Sequence, residues 1–249
     1  MIYDQMMERD CSEWLEQNLA FYRSNLRDVS GPVLDCACGT GLFLLPLLSD
    51  GHDVHGFDIA ASMLSTLRRK AAEQHLDDID ARISDQSLES FAYDIQFEAA
   101  IIPTNTFGML TTQDAQIRTL RNIYSHLAAG GRLLLDLRLA GIGDLAKESG
   151  GVKGRTHTWV HPESGRPIRQ RIDDTRDLAN QLYLSRCFIE YDDEREEFPM
   201  TGRWVFKSEF ELLLRLAGFG RWDVWGTQYG DPLTSKLTET PSFWIAYKD

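Results

Sequence analysis

Apolar residues along the first half of the chain change their spacing repeatedly, and each change marks an element. From Cys11 to Leu26 the positions Trp14, Leu15, Leu19, Phe21, Tyr22 and Leu26 recur at helical spacing and predict an N-terminal helix. The run PVLDC then reads as a buried first strand, and GLFLLPLLSDG as a helix with Pro46 inside its pattern and Gly51 at its end. HDVHGFD predicts a second strand, and AASMLSTLRRKAAEQ has the composition of a strong helix former. IDARISD reads as a short third strand, and FEAAIIP as a fourth that is buried on both faces. TQDAQIRTLRNIYSHLAAGG predicts an amphipathic helix closed by glycines, and RLLLDLR a fifth strand. Strands alternating with helices at this spacing predict an α/β fold with a parallel, doubly wound sheet.

After Leu139 the pattern turns glycine-rich and then alternates, in RTHTWVH, PIRQRIDDTRD and QLYLSRCFIEYDDE, with PESG as a hairpin turn between the first two. These segments predict an antiparallel β insertion. Helical spacing returns in KSEFELLLRLAGFG, followed by strands RWDVWGT and SFWIAYKD. The expected organisation is a core with an N-terminal helix over residues 1–140, a β lid over 141–200, and a C-terminal completion of the core over 201–249.

Composition narrows the partners. The formal net charge of −12 repels phosphate backbones and anionic membrane surfaces, which recruit proteins through lysine and arginine clusters, so neither nucleic acid nor membrane is an expected partner. No apolar run approaches the roughly 20 residues of a membrane helix, and the acidic start MIYDQMMERD lacks a leader's basic and apolar regions, so a cytoplasmic location is expected. The four cysteines form no disulfide framework and no paired metal motif; Cys36 and Cys38 read as small buried fillers, and no metal site is expected.

The stretch VLDCACGTGLF carries the candidate chemistry. A strand, a glycine turn and a helix start together present backbone N–H groups and the positive end of a helix dipole to a ligand. A dinucleotide fingerprint would need a third glycine, and here Gly39-Thr40-Gly41 runs into Leu42, Phe43 and Leu44. Asp35, Asp58 and Asp85 stand at successive strand ends, where ligands of open α/β sheets bind; capping of local turns is the alternative for each of them alone.

The order VLDCACGTG followed by HGFDIAASML resembles the cofactor motifs of class I S-adenosylmethionine (SAM) dependent methyltransferases. The likeness continues through ISDQSLESF, FEAAIIPTNTFGML, LAAGGRLLLDLR and LLLRLAGF, over nearly the whole chain. It departs at Ala37, where the family usually has glycine; alanine fits there if its φ is negative. The resemblance implies a Rossmann-like seven-stranded sheet whose last strand is antiparallel, a β lid after strand five, SAM as cofactor and S-adenosylhomocysteine as product. It further implies that Asp35 orients the turn or meets the cofactor's amino group. Gly39 and Gly41, with Ala37 and Thr40 between and before them, would let the methionine and ribose lie against backbone. Asp58 would take the ribose hydroxyls, Ile59 and Met63 would pack on adenine, and Asp85, Gln86 and Ser87 would contact its edge. Tyr3 and Pro103 complete the implied cofactor set.

Small-molecule methyltransferases of this kind, amino-sugar N-methyltransferases among them, carry such a lid over the acceptor, and a homodimer through the lid is an expected arrangement. Candidate bases are His157 and His161, four apart in the insertion and so on one face of a strand. Asn105 is a third catalytic candidate, in PTNTFGML on the edge that faces the methyl group. Phe107, Arg138, Trp159, Tyr191, Arg203, Trp204 and Tyr229 are candidates for gripping the acceptor; core packing for Phe107, a salt bridge for Arg138 and the lid's own apolar face for the aromatic residues are the alternatives. Three functions remain open on these residues: methyl transfer to N or O of a small molecule, NAD(P)-dependent oxidoreduction, and non-catalytic SAM sensing or scaffolding.

Overall fold

The computed structural model describes residues 2–76, 78–139, 152–160, 165–191, 194–234 and 242–249; at 2, 3, 5, 6, 8–10, 152–155 and 194 it describes the backbone alone. Helix α1 (Ile2–Leu26) leads into β1 (Val33–Cys36), α2 (Leu44–Ser49), β2 (Val54–Asp58), α3 (Ala61–Glu73), α4 (Ile79–Arg82), β3 (Ile83–Asp85), β4 (Phe97–Ile102), α5 (Gln113–His126) and β5 (Leu127–Leu137). A four-stranded antiparallel sheet follows, β6 (Val152–Val160), β7 (Pro167–Asp177), β8 (Leu182–Tyr191) and β9 (Glu194–Arg203), and the chain closes with α6 (Lys207–Ala217), β10 (Arg221–Trp225) and β11 (Ser242–Tyr247).

The main sheet has seven strands in the order β10-β11-β5-β4-β1-β2-β3. β1 pairs in parallel with β2 and β4, and β11 runs antiparallel to β5 with Ser242 opposite Leu137. β1 and β4 are almost wholly buried, as central strands covered on both faces must be. Alternation along the strands sends Leu34, Cys36, Leu133, Leu135 and Leu137 to one core, and Val33 and Leu134 to the other, which α1 covers with Phe21, Tyr22 and Leu26. Asp35 and Asp136 share the parity of Val33 and Leu134, so both carboxylates point to the α1 side. Cys36 and Cys38 are buried, and burial pushes both thiols up.

Several sequence expectations need correction. Ile79–Arg82 is a helical turn rather than strand, closed by the Ala81 amide on the Asp78 carbonyl at 3.1 Å, and only Ile83–Asp85 joins the sheet edge. The amphipathic helix stops at His126, because LAAGG opens β5 through a bulge against Phe97 and Ala99. Pro46 sits in the first turn of α2, where its missing N–H costs nothing. The lid has a fourth strand, β9, beyond the three alternating segments of the sequence; an edge strand tolerates both the charges of EREEFP and Pro199. The expected PESG turn lies outside the described residues. No helix among the described residues is long and apolar enough to cross a membrane.

The lid meets the core through its β9 end. Gly202 and Gly108 lie close enough that a Cβ on either would touch the other segment's backbone, and Leu139 bridges Val205. There Arg203, 6% exposed, donates to Gln116 Oε1 at 2.9 Å, to Gln181 Oε1 at 3.0 Å and to Glu209 Oε1 at 2.6 Å. This is an anchor between lid and core, and it corrects the expectation that Arg203 grips an acceptor.

Candidate active site

Asp58 organises the glycine turn. Its Oδ2 accepts the Gly39 amide at 2.9 Å and its Oδ1 the Ala60 amide at 2.8 Å, which ties the turn after β1 to the start of α3. Each oxygen retains a second lone pair. Asp85 is the register partner of Asp58 on β3 and is exposed, so the two carboxylates stand side by side at the strand ends. The two glycines do different work. A Cβ on Gly41, at φ +82°, would press on Leu45 and Leu67 at 2.9 and 3.0 Å, so this glycine serves packing. A Cβ on Gly39, at φ +54°, would meet only Asp58 Oδ2 at 4.0 Å, so its backbone faces open space that a ligand can approach.

Ala37 adopts φ +60°, so the negative φ at which alanine would fit without strain is not met. The turn needs a left-handed residue there whatever the side chain is, and alanine bears a strain of about 1 kcal/mol. Ala37→Gly is therefore expected to raise the melting temperature by roughly 2–4 °C, read by differential scanning fluorimetry. A lower value would mean that the methyl group packs usefully.

Asp35 is 1% exposed and its Oδ1 has no hydrogen-bond partner. Burial, aided by the nearby Asp58 carboxylate and opposed by the Leu44 amide at the start of α2, pushes its carboxyl up to about 8. It lines a cavity of about 30 Å³ with Ala37, Cys38, Gly39, Thr40, Leu42, Phe43, Pro103 and Thr104. Thr40 donates to Asp4 Oδ1 at 2.5 Å, so the beginning of α1 is tied down onto this turn. Farther along α1, Tyr22 packs edge-on against Phe43 at 5.4 Å and donates to Asp136 Oδ1 at 2.9 Å.

Asp136 also accepts the amides of Thr104 at 2.7 Å and Asn105 at 2.9 Å. Both residues are left-handed, at φ +60° and +55°. Burial pushes the Asp136 carboxyl up to about 6 even though these three donors lower it, and burial with the Asp136 charge pushes the Tyr22 phenol well above its usual range. Asn105 Oδ1 in turn accepts the Arg138 amide at 2.8 Å, so this side chain holds the rim of the site together. Arg138 is exposed, and its guanidinium makes no ion pair among the described residues.

The remaining candidates divide. Met63 is half-buried, whereas Ile59 is 73% exposed beside Asp58. Gln86 is engaged locally, with Nε2 on Ser84 Oγ at 2.8 Å and Oε1 accepting the Ala92 amide at 2.8 Å; Ser87 Oγ accepts the Glu89 amide at 3.3 Å. Phe107 is fully buried against Phe210, with ring centroids 5.2 Å apart, a correction that makes it a core anchor rather than an acceptor contact. Trp204, 2% exposed, packs on Tyr183 and leaves its indole N–H without a partner. Tyr229 is 81% exposed on the connection after β10, at the carboxyl edge. Trp159 and Tyr191 belong to the lid's own cluster around Ile168. His157 is on β6, three strand spacings or about 14 Å across the lid from β9. His161 and the Tyr3 side chain lie outside the described residues. Tyr22 and Asp4 were not foreseen; Tyr22 reads as one more apolar position of a helix, and Asp4 falls before its expected start.

Residues 33–131, from β1 into β5, match the family model described as a methyltransferase domain. The chain is 26% identical over 222 residues to a cypemycin N-terminal methyltransferase from a Streptomyces species, covering 89% of this chain and 86% of that one. Over these residues the chain is similar to class I SAM-dependent methyltransferases. Its sheet order with the antiparallel β11 agrees with this assignment and separates it from the oxidoreductase reading. The chain shares its fold with a SAM-dependent methyltransferase from Clostridium acetobutylicum (16% identity, 100% and 97% of the two chains, TM-score 0.78). It also superposes on the sugar N-methyltransferase KedS8 from a Streptoalloteichus species (17% identity, 100% and 93%, TM-score 0.72). SAM supplies an electrophilic methyl group on a sulfonium.

Proposed function

We propose that this protein transfers the methyl group of SAM to an amine nitrogen of a small molecule or peptide terminus bound between the carboxyl edge of the core sheet and the β lid. The carrying observation is Asp35, a buried carboxyl with one free oxygen beside a glycine turn that leaves backbone open to a ligand. An amine, rather than a hydroxyl, is favoured by the cypemycin relative, named for N-terminal methylation, and by a net charge of −12 that attracts cationic acceptors. Transfer to oxygen is the second reading.

On this proposal Asp35 takes the cofactor's amino group, Asp58 the ribose hydroxyls, Asp85 the adenine edge, with Met63 beneath the ring and Pro103 and Thr104 beside the methionine chain. The acceptor meets the Thr104–Asn105 turn, the free Arg138 guanidinium, the Trp204 indole N–H and Tyr229. The new nitrogen–carbon bond forms as the sulfur–carbon bond breaks, and the nitrogen's proton leaves to solvent before or after transfer. Rate enhancement then rests on alignment and water exclusion, with no dedicated side-chain base. His157 has no place in this arrangement because the width of the lid separates it from β9. A homodimer through the lid remains part of the proposal, and light scattering of the purified protein tests it.

Asp58→Ala is expected to weaken SAM binding well over tenfold in calorimetry, through loss of the ribose contacts and of the turn's two amide bonds. Unchanged affinity would reduce Asp58 to a cap. Product mass spectrometry across amine and hydroxyl acceptors separates N from O transfer, and SAM binding without any methylated product would favour a sensor.

A further inference from the structure

The segment that follows β3 is held by side chains rather than by a strand ladder. β3 is an edge strand of three residues, and beyond Asp85 the chain joins no strand until Phe97. Backbone groups between them must be satisfied one at a time. The Gln86 amide donates to the Asp58 carbonyl at 3.3 Å and the Phe91 amide to the Ser87 carbonyl at 2.9 Å. Then side chains take over. The Phe91 carbonyl accepts Asn122 Nδ2 at 2.9 Å, the Ala92 amide donates to Gln86 Oε1 at 2.8 Å, and the Tyr93 amide donates to His126 Nε2 at 3.2 Å. Asn122 and His126 stand four apart at the end of α5 and share one face of it.

His126 is fixed in one tautomer by its partners. Its Nδ1 lies 2.8 Å from the Asn122 carbonyl, which only accepts, so Nδ1 carries the proton and Nε2 keeps the lone pair that receives the Tyr93 amide. The ring also packs on Phe91 with centroids 4.9 Å apart, and Phe91 stacks on Phe57, the neighbour of Asp58, at 4.7 Å. On the sheet side the Tyr93 hydroxyl donates to the Gly56 carbonyl at 3.2 Å and lies 3.0 Å from Ser84 Oγ, which accepts Gln86 Nε2 at 2.8 Å. Both ends of the Gln86 amide are thus committed to a frame that α5 closes.

We infer that His126 is a positioning residue for the adenine edge: it fixes the Ala92–Tyr93 backbone, the Ala92 amide fixes Gln86, and Gln86 holds the chain that presents Asp85. His126 itself touches no cofactor atom. The inference rests on the proposed assignment of Asp85 to the adenine edge. A histidine that merely closed α5 would change stability and leave the choice of base untouched.

Calorimetry with S-adenosylhomocysteine and S-inosylhomocysteine, in which a carbonyl replaces the adenine amino group, reads that choice. The wild-type protein is expected to prefer S-adenosylhomocysteine by about tenfold or more, as for a hydrogen bond to a charged acceptor. His126→Phe keeps a ring on Phe91 and removes the acceptor; it is expected to bind S-adenosylhomocysteine about fivefold more weakly and S-inosylhomocysteine within about twofold of wild type. His126→Gln, whose Oε1 can take the Tyr93 amide, is expected to restore the wild-type preference. Equal weakening of both ligands, an unchanged preference, or no recovery in His126→Gln overturns the inference. If His126→Phe does not fold, His126→Ala is read in the same way. A wild-type protein that binds both ligands alike overturns the adenine-edge assignment and the inference with it, whereas one that binds neither overturns the whole cofactor site.

Discussion

Asp136→Ala is expected to lower the unfolding free energy by about 3 kcal/mol and turnover by roughly a hundredfold or more. The carboxylate is 0% exposed and receives the Tyr22 hydroxyl and the amides of Thr104 and Asn105. Removing it strands three donors, and each buried one costs roughly 1–3 kcal/mol. The activity effect has a different origin. Thr104 and Asn105 are both left-handed, a conformation that persists only where the surroundings enforce it. Without Asp136 the turn relaxes and takes the Arg138 backbone with it through Asn105. A displacement of about 1 Å near reacting atoms is enough for a hundredfold loss. Urea unfolding and initial rates on one preparation measure both effects. Asp136→Asn, which keeps volume and one acceptor, should recover much of the stability and little of the rate. Wild-type turnover in Asp136→Ala would show that the turn has no part in transfer.

SAM binding should release close to one proton near pH 7, and its affinity should rise about tenfold per pH unit up to pH 8. The free protein holds Asp35 protonated up to about 8, because burial penalises its charge. Binding the α-ammonium demands the carboxylate, so the proton must leave. Above pH 8 an α-amino group itself loses its proton, and affinity turns down again. Calorimetry in two buffers of different ionisation enthalpy counts the proton. Asp35→Asn is expected to bind roughly 10–100-fold more weakly at pH 8 and to lose this linkage. The same group sets the stability of the free protein with the opposite slope. Its folded pKa exceeds the unfolded value near 3.9, so between about pH 4 and 8 the folded state binds more protons and stability falls as pH rises. Asp35→Asn should flatten that fall. A site that binds a cation with a buried acid is thus kept at some expense to the empty protein.

Periodicity and turn chemistry carried the architecture well, since they report backbone geometry that is local. The alternation of strands and helices and the β lid are legible in local patterns such as FEAAIIP and PIRQRIDDTRD, whereas the antiparallel last strand followed from the family resemblance. Errors fell where long-range contacts overrule local preference. IDAR coils because only three residues are needed to pair with Gly56–Asp58 at the sheet edge. EREEFP becomes a strand because β8 offers it a partner along its whole length. Arg203 and Phe107 sit in segments that sequence places near the acceptor, yet the lid anchor and the α6 packing draw both inward.

The sequence by itself determined where a ligand binds: a glycine turn after β1 and acids at three strand ends are chain-local features, and their order resembles that of SAM-dependent methyltransferases. Only the tertiary structure decided which polar groups are left wanting. Asp136 is an ordinary strand end in sequence and Ala37 an ordinary small residue. Their roles arise from burial, from partners 31 to 114 residues away in the case of Asp136, and from a left-handed turn, none of which is encoded in the spacing of neighbouring residues.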